Sequence, residues 1–403
     1  MKKNYQFNWG SLSIEYFITD DSIEWMIIPI EQKKNVHLPK KIKKDSLIQV
    51  KLIGDAYPKG FVTGSTMRNS ETVKSLKFVR QEFNSTMDNP QIVTVLVDKR
   101  GNQYRHFAIW HKPYDVVETF VQFTNFSDSP EELEMISSFS LSNLSPFNEK
   151  NRIGNLSMTR YRSKWSFEGR KLKQPIEDLQ LEPSWKPSGV GIEKYGQLGS
   201  MPVRGWFPYI AIEDASQNVS WSVTLAQPGS WQIEVYRLDE DLCLSGGLAD
   251  RDFGHWKKKI QPMESFQTPS AYITTAIGNE EKVSQKLFSF LQTGIDASNH
   301  QIESSLPIQF NEFCTTWGNP SEASIVQTLN VLKNRGVLYY VIDAGWYANE
   351  NNQWENNHGD WLINTNKFPN GMEKVIQLIK KKLNCNIKCI KKSKNLYRQR
   401  ITQ

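Results

Sequence analysis

Acidic residues run out before this chain does. Beyond Glu373 the sequence holds ten Lys or Arg and no Asp or Glu, which leaves residues 1–373 with 39 basic and 43 acidic groups. The formal net charge of +6 therefore belongs to the last stretch, while the rest carries −4. A nucleic-acid surface needs basic groups spread over a folded face, so no nucleic-acid partner is expected. Apolar runs are also short. None reaches the roughly 18 residues that a membrane helix needs, so no membrane partner is expected. The amino terminus, MKKNYQFNWGSLSIEYF, has two lysines but lacks the apolar centre of a signal peptide. Cysteine is scarce: Cys243, Cys314, Cys385 and Cys389 are the whole set, and Cys385 and Cys389 have no second pair. Neither a disulfide framework nor a zinc ribbon fits that spacing, and a reducing cytoplasm is the expected location.

Several chemistries lack their signatures. The GVG at Gly189–Gly191 continues as IEKYG and does not complete a dinucleotide fingerprint. His106 and His111 stand five apart with no carboxylate or third His in register, so no metal site is expected. No G-x-S-x-G elbow is present for serine hydrolysis. No cofactor is expected, and there is no internal repeat.

Tryptophan, by contrast, is plentiful, with thirteen copies. Such rings either stack on sugars or fill a β-sandwich core, and both readings stay open. Residues 1–278 read as all-β. Leu12, Ile14, Tyr16 and Ile18 alternate with other positions, as do Val117, Thr119, Val121 and Phe123. Val219, Trp221, Val223 and Leu225 repeat the pattern, followed by Trp231, Ile233 and Val235. Period-2 runs separated by turn residues predict antiparallel sheets packed as a large sandwich. The stretches DAYPKGFVTGSTMRNS near Asp55 and LADRDFGHW near Asp250 read as structural turns. From Asn279 the period lengthens, and Val283, Leu287, Phe290 and Leu291 form one helical stripe.

The most informative stretch is FCTTWGNPSEASIVQTLNVLKNRGVLYYVIDAGWY from Phe313, continuing to GDWLINTNKFPNG at Gly359–Gly371. Asn319 is the expected N-cap of a helix with Pro320 at N1 and Glu322 at N3, stopped by Gly336. Ile325, Leu329 and Leu332 make its apolar stripe. VLYYVI then reads as a strand buried on both faces. It ends in Asp343, followed by Gly345, Trp346 and Tyr347. An acid and aromatics at the carboxyl end of a buried parallel strand are where a β/α barrel places its active site. An earlier strand is expected near Ile308–Phe313, and a second helix from Asn370 with Met372, Val375, Ile376 and Ile379 on one face. NIKCI is long enough for one more short strand, and beyond it no amphipathic pattern continues.

IDAGWY followed by GDWLINTNKFPNG resembles the α-galactosidases of glycoside hydrolase family 36, the melibiase group. Their pattern has Asp-Asp-Gly-Trp at the strand end and Gly-Asp-Trp before a Lys-Phe-Pro-Asn-Gly helix start. The resemblance is strong over roughly the last fifth of the chain. It implies a multi-domain β plus α/β fold, an N-terminal antiparallel β-supersandwich followed by an incomplete (β/α)8 TIM barrel. The division is then 1–278 for the β domain, 279–304 for a connector helix and linker, 305–383 for the start of the barrel, and 384–403 for an atypical basic tail. It also implies a retaining glycosidase acting on terminal α-linked galactose, with an α-galactoside or related oligosaccharide as its partner, and leaves homo-oligomerisation open. Asp343, Trp346 and Trp361 are the expected substrate-binding residues. The family's nucleophile and acid/base lie on later strands, so no catalytic residue is assigned here, and this chain is expected to be inactive alone. A non-catalytic carbohydrate-binding protein and a degenerate remnant are the alternatives. One residue departs from the pattern: Ala344 replaces the second aspartate.

Overall fold

The computed structural model describes residues 3–19, 23–37, 45–57, 66–85, 88–147, 153–182, 190–238, 241–298, 306–348, 354–359, 361–383 and 386–389. The chain divides into two compact units, Met1–Thr293 and Gly294–Gln403. Asp360 of the GDW triplet, Gly189, Cys385 and the residues from 390 onward lie outside the described residues.

The sheets of the first unit are antiparallel. Leu12–Ile18 pairs with Lys3–Trp9 on one side and Ile23–Pro29 on the other. A ten-stranded sheet runs from Arg170–Pro175 at one edge to Lys77–Asn84 at the other. Val219–Leu225 lies inside it, between Tyr209–Asp214 and Ala271–Ile277. A six-stranded sheet places Trp231–Leu238 between Val190–Gln197 and Asp241–Leu248. The period-2 runs therefore mark real strands, and their apolar members share one continuous core. Burying a Trp removes a large apolar area from water but strands the indole N–H unless an acceptor is near. Trp25, Trp221 and Trp231 each find a backbone carbonyl, at Ser140, Ile27 and Pro202, with distances of 2.6, 2.7 and 2.6 Å. For these three the core-filling reading holds.

His106 belongs to the same core. Its ring meets Trp25 edge-on at 4.9 Å and its Nε2 lies 2.9 Å from the Thr119 hydroxyl. Burial alone lowers its pKa to about 3, so it is neutral. The Asp250 segment is a turn held by side chains, while residues 58–65 of the Asp55 segment lie outside the described residues. Asp55 accepts from the backbone N–H groups of Leu52 and Thr72, and Asp250 accepts from Lys194 Nζ at 2.8 Å.

The helix expected after Asn279 spans Glu280–Ser298. Val283 and Leu287 are buried, and the Phe290 ring packs against His111 and Tyr272. Leu291 does not join the stripe, for it stands exposed at 40%.

In the second unit β1 (Ile308–Asn311), β2 (Val337–Ile342) and β3 (Asn386–Cys389) form a parallel sheet in the order β1-β2-β3. Between β1 and β2 come a short helix α1 (Phe313–Thr316) and α2 (Glu322–Leu332), and α3 (Gly371–Leu383) leads to β3. Each strand adds beside its predecessor without reversal, which is how a barrel winds rather than how a doubly wound sheet does. Ile325 and Leu329 of α2 and Met372, Val375 and Ile379 of α3 bury against Tyr340 and Ile342 of β2. No helix among the described residues is long and apolar enough to cross a membrane.

The start of α2 differs from expectation. Ser321, not Asn319, is the N-cap: its hydroxyl accepts from the Ser324 N–H at 3.2 Å, and Ser324 Oγ accepts from the Ser321 N–H at 2.9 Å. The Asn319 N–H is spent on the Thr316 carbonyl, closing the preceding turn. Glu322 turns outward to Asn370, whose Nδ2 it binds at 3.0 and 3.1 Å, tying the beginnings of α2 and α3 together.

Candidate functional site

β2 delivers Asp343 at its carboxyl end, where the parallel ladder stops and side chains project beyond the sheet. The acid is fixed from three directions. Its backbone N–H donates to Glu312 Oε1 at 3.0 Å, Asn311 Nδ2 donates to Oδ2 at 2.6 Å, and the Ala344 N–H donates to Oδ1 at 2.6 Å. Each carboxylate oxygen has two lone-pair sites, so both oxygens keep room for a ligand hydroxyl. Glu312 itself is only 1% exposed and its other oxygen accepts from Thr316 Oγ1 at 2.6 Å. Burial pushes its carboxyl above the ordinary glutamate value, and the Asp343 charge adds to that against the opposing hydrogen bonds and Lys367.

Two glycines let the loop after β1 close on the turn after β2. Gly345 has φ +98°, and a Cβ there would fall 1.8 Å from the Gly318 carbonyl oxygen. Gly318 has φ +79°, and a Cβ on it would strike the Trp354 ring at 2.2 Å. The turn is also clamped from below. Lys367 Nζ donates to the Gly345 carbonyl at 2.9 Å, and Asn364 binds the carbonyls of Trp346 and Ala348 at 3.1 and 2.6 Å. The NTNKFPNG stretch thus holds the strand-end turn in shape.

Around Asp343 opens a cavity of about 300 Å³ lined by Phe313, Asp343, Ala344, Tyr347, Trp354, His358 and Trp361. Its rings brace one another. Trp354 meets Phe313 edge-on at 5.8 Å, His358 stacks on Trp361 at 5.6 Å and 26°, and Trp361 meets Tyr347 edge-on at 4.7 Å. Trp361 has φ +53°, a left-handed conformation unusual for a bulky residue. Such strain costs about 1–3 kcal/mol and persists only where surrounding contacts impose it. An acid beside several aromatic faces suits a polyol with one apolar side. Asp343 is the sole carboxylate in this lining.

The structure brings Asp343 and Trp361 together in the lining and leaves Trp346 out. Trp346 is 4% exposed and packs in the core of the second unit, with its ring edge-on to Tyr347 at 5.2 Å. It stands behind the cavity wall, and Tyr347 occupies the place expected of it. Phe313, Trp354 and His358 were missed because Phe313 opens the one-turn helix α1 and the other two lie in or beside a single 3-10 turn, all too short to show a period. The Asn and Trp content of the 349–361 stretch was the available signal.

Comparison with known proteins adds a family. Residues 265–390 match the melibiase family model. The chain is 26% identical over 190 residues to the α-galactosidase Mel36A of Lactobacillus acidophilus, a match covering 46% of this chain and 25% of that protein. Among solved structures, an α-galactosidase from Lactobacillus brevis superposes with a TM-score of 0.70 at 16% identity, covering 96% of this chain and 54% of that one. A family 36 α-galactosidase AgaA variant from Geobacillus stearothermophilus, solved with raffinose, gives 0.69 at 15% identity, covering 96% of this chain and 56% of that one. These two likenesses show a shared fold.

Proposed function

From the match of residues 265–390 to the melibiase family model, we propose that the chain is a member of that family of α-galactosidases and that its second unit carries the galactose-binding end of a retaining α-galactosidase site. The carrying observation is Asp343 at the carboxyl end of β2, held by Asn311 and facing a cavity walled by aromatic rings. The ligand is a terminal α-linked galactose. Asp343 accepts hydrogen bonds from the sugar hydroxyls and Trp361 covers the apolar face of the ring. Trp346 contributes as the support behind Tyr347. Raffinose, present in one structural neighbour, is the kind of oligosaccharide this reading implies. Under it, residues 1–278 form the β domain, 279–304 the connector, 305–383 the opening of the barrel and 384–403 a basic stretch whose residues 386–389 add β3 to the barrel sheet. Cys243 and Cys314 are both free thiols, which supports a reducing, cytoplasmic setting.

Titration of the full chain with galactose and raffinose, followed by tryptophan fluorescence, tests this. Saturable binding in the millimolar range is expected, with a loss of at least tenfold in Asp343→Asn and in Trp361→Ala. Absence of saturable binding by the unsubstituted chain would exclude the reading.

A further inference from the structure

Among the residues lining the cavity, His358 is exposed and makes no hydrogen bond to any described residue. Its ring is held in place all the same. It stacks on Trp361 at 5.6 Å and 26°, and the Trp354 and Tyr347 rings lie 5.5 and 6.1 Å from it. In the sequence between the stacked pair, Gly359 has φ +139°, a backbone conformation that favours glycine. An imidazole carries its polar atoms on the ring edge, so stacking occupies a face and leaves both nitrogens open. Water satisfies an exposed imidazole in any orientation. A ligand needs one orientation, and a side chain already held loses less freedom when the ligand arrives.

From this we infer that His358 is a specificity-determining contact, its ring N–H donating to one hydroxyl of the bound sugar while Asp343 accepts from another. The inference rests on the galactose-binding reading and deepens it. A sugar hydroxyl both donates and accepts, whereas a carboxylate only accepts and an imidazole has an N–H to give in either charge state. Aromatic cover alone leaves a sugar free to turn over the ring beneath it. A donor beside the Trp354–Asn357 turn and an acceptor at the end of β2 stop that rotation. Ala344 adds only a methyl beside Asp343, and the Tyr347 hydroxyl is buried, so neither supplies the second polar contact. His358 precedes the Gly-Asp-Trp triplet and lies outside the motif that carries the family resemblance, so the contact belongs to this chain's own loop.

His358→Phe separates the ring from its nitrogens, because a phenyl group still stacks on Trp361 but donates nothing. Titration of the full chain should show galactose affinity falling about tenfold in His358→Phe, the size one neutral hydrogen bond carries. The melting temperature of the free chain should not move, since the imidazole edge makes no hydrogen bond there. The monodeoxygalactoses identify the contact. One of them should bind the unsubstituted chain about tenfold more weakly than galactose does and lose nothing further in His358→Phe. A different one, lacking the hydroxyl that Asp343 reads, should still lose about tenfold on that substitution. Equal galactose affinity of the two proteins would overturn the inference while leaving the galactose reading intact. The same loss for galactose and for every monodeoxygalactose in His358→Phe would also overturn it, by showing that the ring acts through shape alone. Failure of the unsubstituted chain to bind galactose would overturn both.

Discussion

Glu312 accepts the backbone N–H of Asp343 at 3.0 Å, so an acid just after one strand fixes the acid at the end of the next. The two carboxyl groups play unlike parts. Asp343 faces the cavity, whereas Glu312 is buried and spends both oxygens on the protein. Glu312→Ala leaves the Asp343 amide and the Thr316 hydroxyl without their acceptor. A loss of about 1–3 kcal/mol is expected, confined to the unfolding transition of the second unit. Glu312→Gln keeps one acceptor and should lose less. Urea unfolding followed by tryptophan fluorescence measures both.

The same residue predicts a pH dependence. Its carboxyl is raised in the folded state above the ordinary value of 4.5, first by burial. The folded chain therefore holds a proton that the unfolded chain has released. Stability falls as pH rises from about 4.5 to the raised folded value and is flat above it. Glu312→Gln should remove that decline. An unchanged pH profile in Glu312→Gln would show that another group is responsible.

Closure of the loop after β1 onto the turn after β2 depends on glycine at 345 more than on any side chain. In Gly345→Ala the new methyl meets the Gly318 carbonyl and the backbone is held at φ +98°. A loss above about 2 kcal/mol is expected, with the cavity deformed and galactose binding abolished. Full-strength binding by Gly345→Ala would mean that this close approach does not shape the site.

Retaining glycosidases place two carboxyl groups about 5–5.5 Å apart across the scissile bond. In the described lining only Asp343 carries one. Glu312, though near, is occupied by backbone and hydroxyl donors. Purified 403-residue chain is expected to bind galactose without turning over nitrophenyl α-galactoside. Steady release of nitrophenol above a host-extract control, lost in Asp343→Asn, would refute this.

Much of the fold was legible because it is written in periodicity. A strand such as Val219–Leu225 alternates because one face meets the sandwich core, and VLYYVI is continuously apolar because helices and neighbouring strands cover all of it but Leu338. Asp343 was legible for the same reason, as the first polar residue after such a run. The ring that faces the cavity was not. Trp346 and Tyr347 are adjacent in a turn, where no repeat assigns a face, and the left-handed Gly345 decides that Trp346 points to the core. The cap of α2 was misread for a related reason. Asn319 and Ser321 both have capping side chains, and the choice fell to whichever N–H was already used by a turn. Leu291 shows the limit of the helical stripe, since periodicity gives a face without saying how far along the helix that face stays covered.

Ala344 is where this chain departs from the paired aspartates of the strand-end pattern. It lines the cavity beside Asp343, and its backbone N–H already serves the Asp343 carboxylate. A methyl at this position leaves space and no acceptor; an aspartate would fill that space and accept a hydroxyl. A ligand hydroxyl deprived of its acceptor costs about 1–3 kcal/mol, or up to a hundredfold in affinity. Ala344→Asp should therefore tighten galactose binding. It should weaken binding of a sugar whose hydroxyl is replaced by a bulkier, less polar group, because the new carboxylate crowds that substituent. Galactose and N-acetylgalactosamine make the comparison, titrated against both proteins under one buffer. A reversal or widening of their affinity ratio by at least fivefold is expected. An unchanged ratio would place the 344 side chain out of reach of the sugar.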